Sequence, residues 1–168
     1  YINCGTCSDC PAGTSTNGVA GGTGNSSCEA CSNGYASQAG ASDCDECVAG
    51  TYATDGSEDA PFGIVTKASN CVNCPAGYYQ AAATSVYCSP CDAGTISDSD
   101  RTGCSTCEPG TASSTGAGSC TDCEVGYYTN STGSASCDKC TTTTEFGAGF
   151  SSTKGSDTCD TCAVDYFR

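Results

Sequence analysis

A chain of 168 residues ordinarily folds around one hydrophobic core, but this one has no Leu, Met or Trp and only 14 Val, Ile and Phe residues, which excludes such a core. Its 19 cysteines, above a tenth of the chain, supply the alternative of covalent cross-links, and disulfides at that density persist only in an oxidising place, outside the cytosol. The net charge of −14, with Lys67, Arg101, Lys139, Lys154 and Arg168 as the five cations, leaves no basic patch for a phosphate backbone and argues against nucleic acid as a partner.

The chain opens on Tyr1-Ile2-Asn3-Cys4 without Met or a signal peptide, which reads as a mature or excised start. Cys4-Gly5-Thr6-Cys7-Ser8-Asp9-Cys10-Pro11 has the cysteine spacing of a bacterial ferredoxin. Its Pro, however, follows the third Cys directly and the fourth ligand is missing, so the segment reads as an ordinary repeat pair with one extra Cys ahead of it.

From there one motif recurs, Cys-x-x-Cys-x-x-Gly-[Thr/Tyr]. It runs Cys7/Cys10 with Gly13-Thr14, Cys28/Cys31 with Gly34-Tyr35, Cys44/Cys47 with Gly50-Thr51, Cys71/Cys74 with Gly77-Tyr78 and Cys88/Cys91 with Gly94-Thr95. It continues as Cys104/Cys107 with Gly110-Thr111 and Cys120/Cys123 with Gly126-Tyr127. Cys137/Cys140 and Cys159/Cys162 keep the cysteines but have Thr143 and Asp165 at the place of the glycine. Self-similarity this regular defines a repeat protein, each module being expected to contact mainly its sequence neighbours. The glycine suits a positive-φ turn or a close backbone approach, and the Thr or Tyr after it starts a run of only three to five strand-forming residues. Short two-stranded ribbons and turns are therefore expected, with almost no helix. Gly, Ser, Thr and Asn fill the spacers as turn chemistry requires. Two insertions stand out: residues 51–70, carrying Asp55-Gly56-Ser57-Glu58-Asp59 and Phe62-Gly63-Ile64-Val65, and Thr141-Thr142-Thr143-Thr144 leading to Phe146-Gly147-Ala148-Gly149-Phe150. No apolar run approaches the roughly 20 residues that a membrane helix needs.

Paired Cys-x-x-Cys serves zinc, but the chain has no His and no other trait of a nuclear or cytosolic zinc protein. A thioredoxin-type pair needs a helix start in a βαβ unit, and no helical pattern follows any pair. Structural disulfides remain. A Cys separated from the next by 13 or 14 residues, with a Gly turn between, closes a loop of ribbon size, which gives Cys10–Cys28, Cys31–Cys44, Cys47–Cys71, Cys74–Cys88, Cys91–Cys104, Cys107–Cys120, Cys123–Cys137 and Cys140–Cys159. The modules are then 10–31, 31–47, 47–74, 74–91, 91–107, 107–123, 123–140 and 140–162, flanked by partial modules 1–10 and 162–168. Cys4, Cys7 and Cys162 are left over. If Arg168 were followed by a new Tyr1, the separation from Cys162 to Cys7 would be the common 13, so these are candidates for a bond between units of a head-to-tail array, made by a continuous polypeptide or by stacked subunits, with an internal Cys4–Cys7 bond and a fragment boundary after Arg168 as the alternative.

The repeats Cys74-Pro75-Ala76-Gly77-Tyr78-Tyr79 to Cys91 and Cys107-Glu108-Pro109-Gly110-Thr111 to Cys123 resemble the ephrin-receptor-like and tumour-necrosis-factor-receptor-like cysteine-rich repeats. Strung end to end and rich in small residues, they are similar to the surface (immobilisation) antigens of ciliates and related protist coat proteins. That resemblance implies an elongated, disulfide-laddered rod, and it agrees with joining the second Cys of one pair to the first of the next.

No Ser-His or Cys-His nucleophile exists without His, no catalytic residue is proposed and no cofactor is implied. Asp98-Ser99-Asp100 and the run from Asp55 to Asp59 carry calcium-type oxygen ligands without an EF-hand pattern, and Asp157 and Asp160 read as solvated carboxylates. Tyr35, Tyr78 and Tyr127 are expected to pack flat on the disulfides, with an aromatic strip for a sugar or partner as the other reading. Asn25-Ser26-Ser27 and Asn130-Ser131-Thr132 are acceptors for N-glycans, and Thr141 to Thr144 among 46 Ser and Thr residues suit O-glycans. The expected function is an extracellular structural glycoprotein, secreted or at the cell surface, that builds a coat or filament from copies of itself head to tail. A ligand-binding receptor or adhesin ectodomain is the alternative, for which Phe62-Gly63-Ile64-Val65 is the candidate contact.

Overall fold

The structure is a computed structural model that describes residues 9–16, 28–56, 67–140, 150–159 and 161–162, with the last two and 150–151 described as backbone only. Cys4, Cys7, Asn25, Thr141 to Thr144 and Phe62-Gly63-Ile64-Val65 lie outside the described residues.

Among the described residues, eight two-stranded ribbons follow one another in sequence. β1 (Thr14–Ser15) pairs with β2 (Glu29–Ala30), β3 (Tyr35–Ala36) with β4 (Asp45–Glu46), β5 (Thr51–Thr54) with β6 (Asn70–Asn73), and β7 (Tyr78–Tyr79) with β8 (Ser89–Pro90). β9 (Thr95–Ser97) pairs with β10 (Cys104–Thr106), β11 (Thr111–Ala112) with β12 (Thr121–Asp122), β13 (Tyr127–Tyr128) with β14 (Asp138–Lys139), and β15 (Phe150–Ser151) with β16 (Thr161–Cys162). No helix occurs among the described residues. A ribbon of two residues per strand is marginal by itself in water, so each is held at its ends. Disulfides do this, joining Cys10 to Cys28, Cys31 to Cys44, Cys47 to Cys71, Cys74 to Cys88, Cys91 to Cys104, Cys107 to Cys120, Cys123 to Cys137 and Cys140 to Cys159. Counted by these bonds, the modules are numbered one to eight below.

The motif glycine sits in a tight turn. In six modules the N–H of the Thr or Tyr after the glycine donates to the carbonyl three residues back, as from Thr95 to Asp92 (3.0 Å) and from Tyr127 to Glu124 (2.9 Å). The motif glycines have φ between 77° and 85° and the residue before each is not left-handed, which is the type II turn with glycine at its third position. Where Thr follows, its hydroxyl adds a second bond to the same carbonyl: Thr14 to Pro11 (2.6 Å), Thr51 to Val48 (2.7 Å), Thr95 to Asp92 (2.8 Å) and Thr111 to Glu108 (2.7 Å).

The longer modules differ in where the extra residues enter. The first strand begins four residues after the opening Cys in modules one to seven, so the extra length of modules one and three follows that strand. In module eight β15 begins ten residues after Cys140; the extra six, which account for a separation of 19 against the common 13, precede it. The strand position expected beside Thr143 is therefore taken by Phe150, itself preceded in sequence by Gly149. The last register also slips by one residue: Phe150 faces Cys162, whereas Thr111 faces Asp122, the residue before the closing pair's second Cys.

The chain forms two compact units, one of Tyr1–Pro75, Tyr79–Ser89 and Ser99–Gly103, the other of Ala76–Tyr78, Pro90–Asp98 and Cys104–Arg168. Within the first, Ala36, Cys47, Ala53 and Ala68 form a small apolar cluster. Elsewhere the buried apolar atoms are mostly the sulfurs themselves, at Cys74, Cys88, Cys91, Cys107 and Cys123.

Buried hydroxyls complete the interior. The third residue after the motif glycine is Ser or Thr in most modules, and its side chain reaches back to the preceding one: Ser37 Oγ donates to the Thr14 carbonyl (2.9 Å), Ser113 Oγ to Thr95 (3.0 Å) and Ser152 Oγ to Tyr127 (2.6 Å). All three serines are buried, and among the described residues no buried side-chain nitrogen or oxygen lacks a partner. Replacing Ser113 with Ala removes a buried bond and strands a carbonyl, and is expected to cost about 1–2 kcal/mol. Ser114→Ala, one residue on at an exposed site, should stay within about 0.5 kcal/mol. Denaturant unfolding of the oxidised variants checks this, and equal midpoints would remove the serine from the interior account.

Candidate interaction surface

The motif glycine is where modules grip one another, and it uses every part of its backbone. Its carbonyl accepts from the N–H of the Cys that opens the next module: Cys31 to Gly13, Cys47 to Gly34, Cys74 to Gly50, Cys91 to Gly77, Cys107 to Gly94, Cys123 to Gly110 and Cys140 to Gly126, all at 2.8–3.0 Å. Its own N–H donates into the next module, as from Gly13 to the Ser37 carbonyl (2.8 Å) and from Gly94 to the Ser113 carbonyl (2.8 Å), or from Gly77 to Ser97 Oγ (3.0 Å).

Its Cα faces the module after next. A second left-handed residue stands in the loop of modules two to eight, in the order Gly40, Lys67, Thr84, Arg101, Gly116, Gly133 and Gly155. In the first unit the carbonyls of Lys67, Thr84 and Asp100 press on Gly13, Gly34 and Gly50; in the second, those of Gly116, Gly133 and Gly155 press on Gly77, Gly94 and Gly110. A Cβ at any of these six glycines would overlap a backbone oxygen. The loop turn is anchored in its place by its own N–H, which donates to the carbonyl of the opening Cys one module back: Gly116 to Cys91 (2.9 Å), Gly133 to Cys107 (2.8 Å) and Gly155 to Cys123 (2.8 Å). Modules thus touch the module after next in addition to the sequence neighbours expected. Backbone with no side chain lets a turn two modules along reach the glycine, and the sequence shows only that the glycine is there.

The tyrosines after the glycine are half-buried at Tyr35 and Tyr78 and 39% exposed at Tyr127. Tyr78 lies against Gly116, its hydroxyl 3.2 Å from where a Cβ there would stand, so it covers a loop turn. Tyr127 instead lines an open groove of about 390 Å³ with Ala112, Ala117, Ala135 and the bonded pair Cys123 and Cys137. Asp122 at the edge of that groove makes an exposed ion pair with Lys154 at 3.7 Å, which contributes little to stability.

Of the other candidates, Asn130 is exposed on the loop between β13 and β14, where Ser131 Oγ donates to its Oδ1 (3.1 Å) and Thr132 is exposed beside it. Asp100 accepts from the Thr102 hydroxyl (3.0 Å), a local turn contact, and Asp157 is exposed; Asp160 and residues 57–59 of the acidic run lie outside the described residues. Among the described residues no three His, Cys, Asp or Glu side chains are grouped to hold a metal. Cys162 ends β16. Sequence reasoning assigned the spacer Ser and Thr to turns and glycans, and missed the buried hydroxyl three residues past the glycine. The recurrence of Ser or Thr at Thr16, Ser37, Ser97, Ser113, Thr129 and Ser152, in step with the motif, was the available signal.

Modules one to seven share a ribbon closed by a disulfide and opened by a type II glycine turn, and in five of them the bonded cysteines are 13 or 14 residues apart. A family model described as tyrosine-protein kinase ephrin type A/B receptor-like matches residues 110–148, which include modules six and seven nearly whole. The repeat resembles ephrin-receptor-like modules. No curated protein matches the chain. The resemblance of that stretch to ephrin-receptor-like modules and the disulfides among the described residues point to an extracellular cysteine-rich repeat. No helix among the described residues is long and apolar enough to cross a membrane.

Proposed function

We propose that the chain is a non-catalytic structural glycoprotein of a cell-surface coat or filament, secreted or held at the cell surface, and assembled from copies of itself head to tail. The observation that carries this reading is the recurrence of one backbone grip in six successive modules, one to six. A grip that needs only glycine, a loop carbonyl and a Cys N–H extends with each added module, so length accrues without a central core. The exposed Asn130 supports a glycan on the outer loops, and the excess of carboxylates keeps such a surface hydrated.

Peptide mapping and electron micrographs of protein from the native source test the reading together. Glycan on Asn130 and periodic arrays are the expected outcomes. Unmodified Asn130 peptides, with isolated molecules each holding a soluble protein ligand, would replace this reading with that of a receptor-type ectodomain.

A further inference from the structure

Gly126 differs from the other motif glycines. The six before it are buried under the loop turn of the module after next, whereas Gly126 is half-exposed and no described atom lies within 4 Å of where its Cβ would stand. Its turn is nevertheless formed, with φ of 85° and its carbonyl accepting from Cys140. The side chains flanking it are two of the four large apolar side chains exposed among the described residues: Val125 at 66% and Tyr127 at 39%.

The same three positions in module four show what fits them. Gly77 lies under the Gly116 carbonyl, Tyr78 lies against Gly116, and Ala76 touches Gly118, where an added Cβ would be 2.9 Å away. Val125, Gly126 and Tyr127 thus continue, at module seven, an interface whose occupant is known from six places in the same molecule. That occupant is backbone, a left-handed loop turn with small residues around it, and the match is one of shape and apolar burial rather than charge.

We propose that Val125, Gly126 and Tyr127 form a docking face for the loop turn of a module in a second copy of this chain. The proposal rests on the head-to-tail reading above and names the surface that reading needs. Glu124, exposed beside the face, and the net charge of −14 on each copy oppose the approach. Association through this face therefore strengthens as salt shortens the screening length, from about 30 Å at 0.01 M to about 8 Å at 0.15 M ionic strength.

Sedimentation of the fully oxidised chain over a concentration series at both ionic strengths tests this. The chain is expected to self-associate, more tightly at the higher salt, and Val125→Asp is expected to weaken association at least tenfold. Val48→Asp, at a valine of similar exposure (62%) one position earlier in its own turn, should leave association unchanged. Tyr127→Thr guards against a folding artefact, since Thr occupies that place in four other modules and caps the turn there; it too should weaken association. A chain that stays monomeric to about 1 mM, a dissociation constant of little consequence, overturns both the face and the head-to-tail reading. A chain that associates but ignores Val125→Asp and Tyr127→Thr, or responds equally to Val48→Asp, overturns the face and leaves the reading standing.

Discussion

Reduced and alkylated, the protein should show no cooperative melting transition and a far-ultraviolet spectrum of disordered chain. The reason lies in what would remain to oppose chain entropy, which amounts to about 1–2 kcal/mol for each residue fixed. The ribbons are mostly two residues per strand, and the interior is sulfur, alanine and hydroxyl. Buried half-cystines are the main apolar contents, and alkylation makes them too large for their sites. Each intact bond closes a loop spanning a separation of 13 to 24 residues and contributes about 3 kcal/mol in the chain-entropy model. A reduced sample that melted cooperatively would mean that the glycine grips suffice alone.

The largest single-residue effect should come from a methyl group. Gly94→Ala places a Cβ on a left-handed residue, at about 1–3 kcal/mol, and drives it into the Gly133 carbonyl, which forces module five away from module seven. A loss of about 3 kcal/mol or more is expected. Gly133→Ala has a similar φ, 71°, but its Cβ would come no closer to any described atom than 3.6 Å, to Thr106 Cγ2, an ordinary contact. It should cost about 1 kcal/mol. Nature has already run this second experiment in the same chain, since Lys67, Thr84 and Arg101 stand at that loop position with positive φ. Thermal unfolding of the two variants under oxidising conditions decides the matter. Equal losses would mean that the close approach to the motif glycine carries no energy.

The ribbon-and-disulfide architecture was legible because cysteine spacing, glycine position and the absence of Leu each exclude nearly everything else. The interface was not. Gly94 and Gly133 are the same letter, one obligatory and one dispensable, and the difference is a carbonyl 39 residues away that no local pattern announces. Ser113 is one of 46 Ser and Thr residues, and only its step with the motif separates it from Ser114. Module eight misled for a related reason: counting from Cys140 lands on Thr143, while the strand begins at Phe150 because an insertion ahead of a strand is invisible to a fixed count.

That six motif glycines each lie under a turn two modules further on also sets how damage spreads. In a stack with nearest-neighbour contacts alone, an opened module weakens the one on either side. Here the loop that carries Gly116 hangs from the Cys107–Cys120 bond and covers Gly77, so cutting that bond uncovers a site thirty residues upstream. Within a unit, the chain behaves as a one-dimensional lattice with second-neighbour coupling. A lesion anywhere in it has a healing length of several modules, and a protease or reductant that opens one loop finds its next targets on alternate modules as well as on adjacent ones.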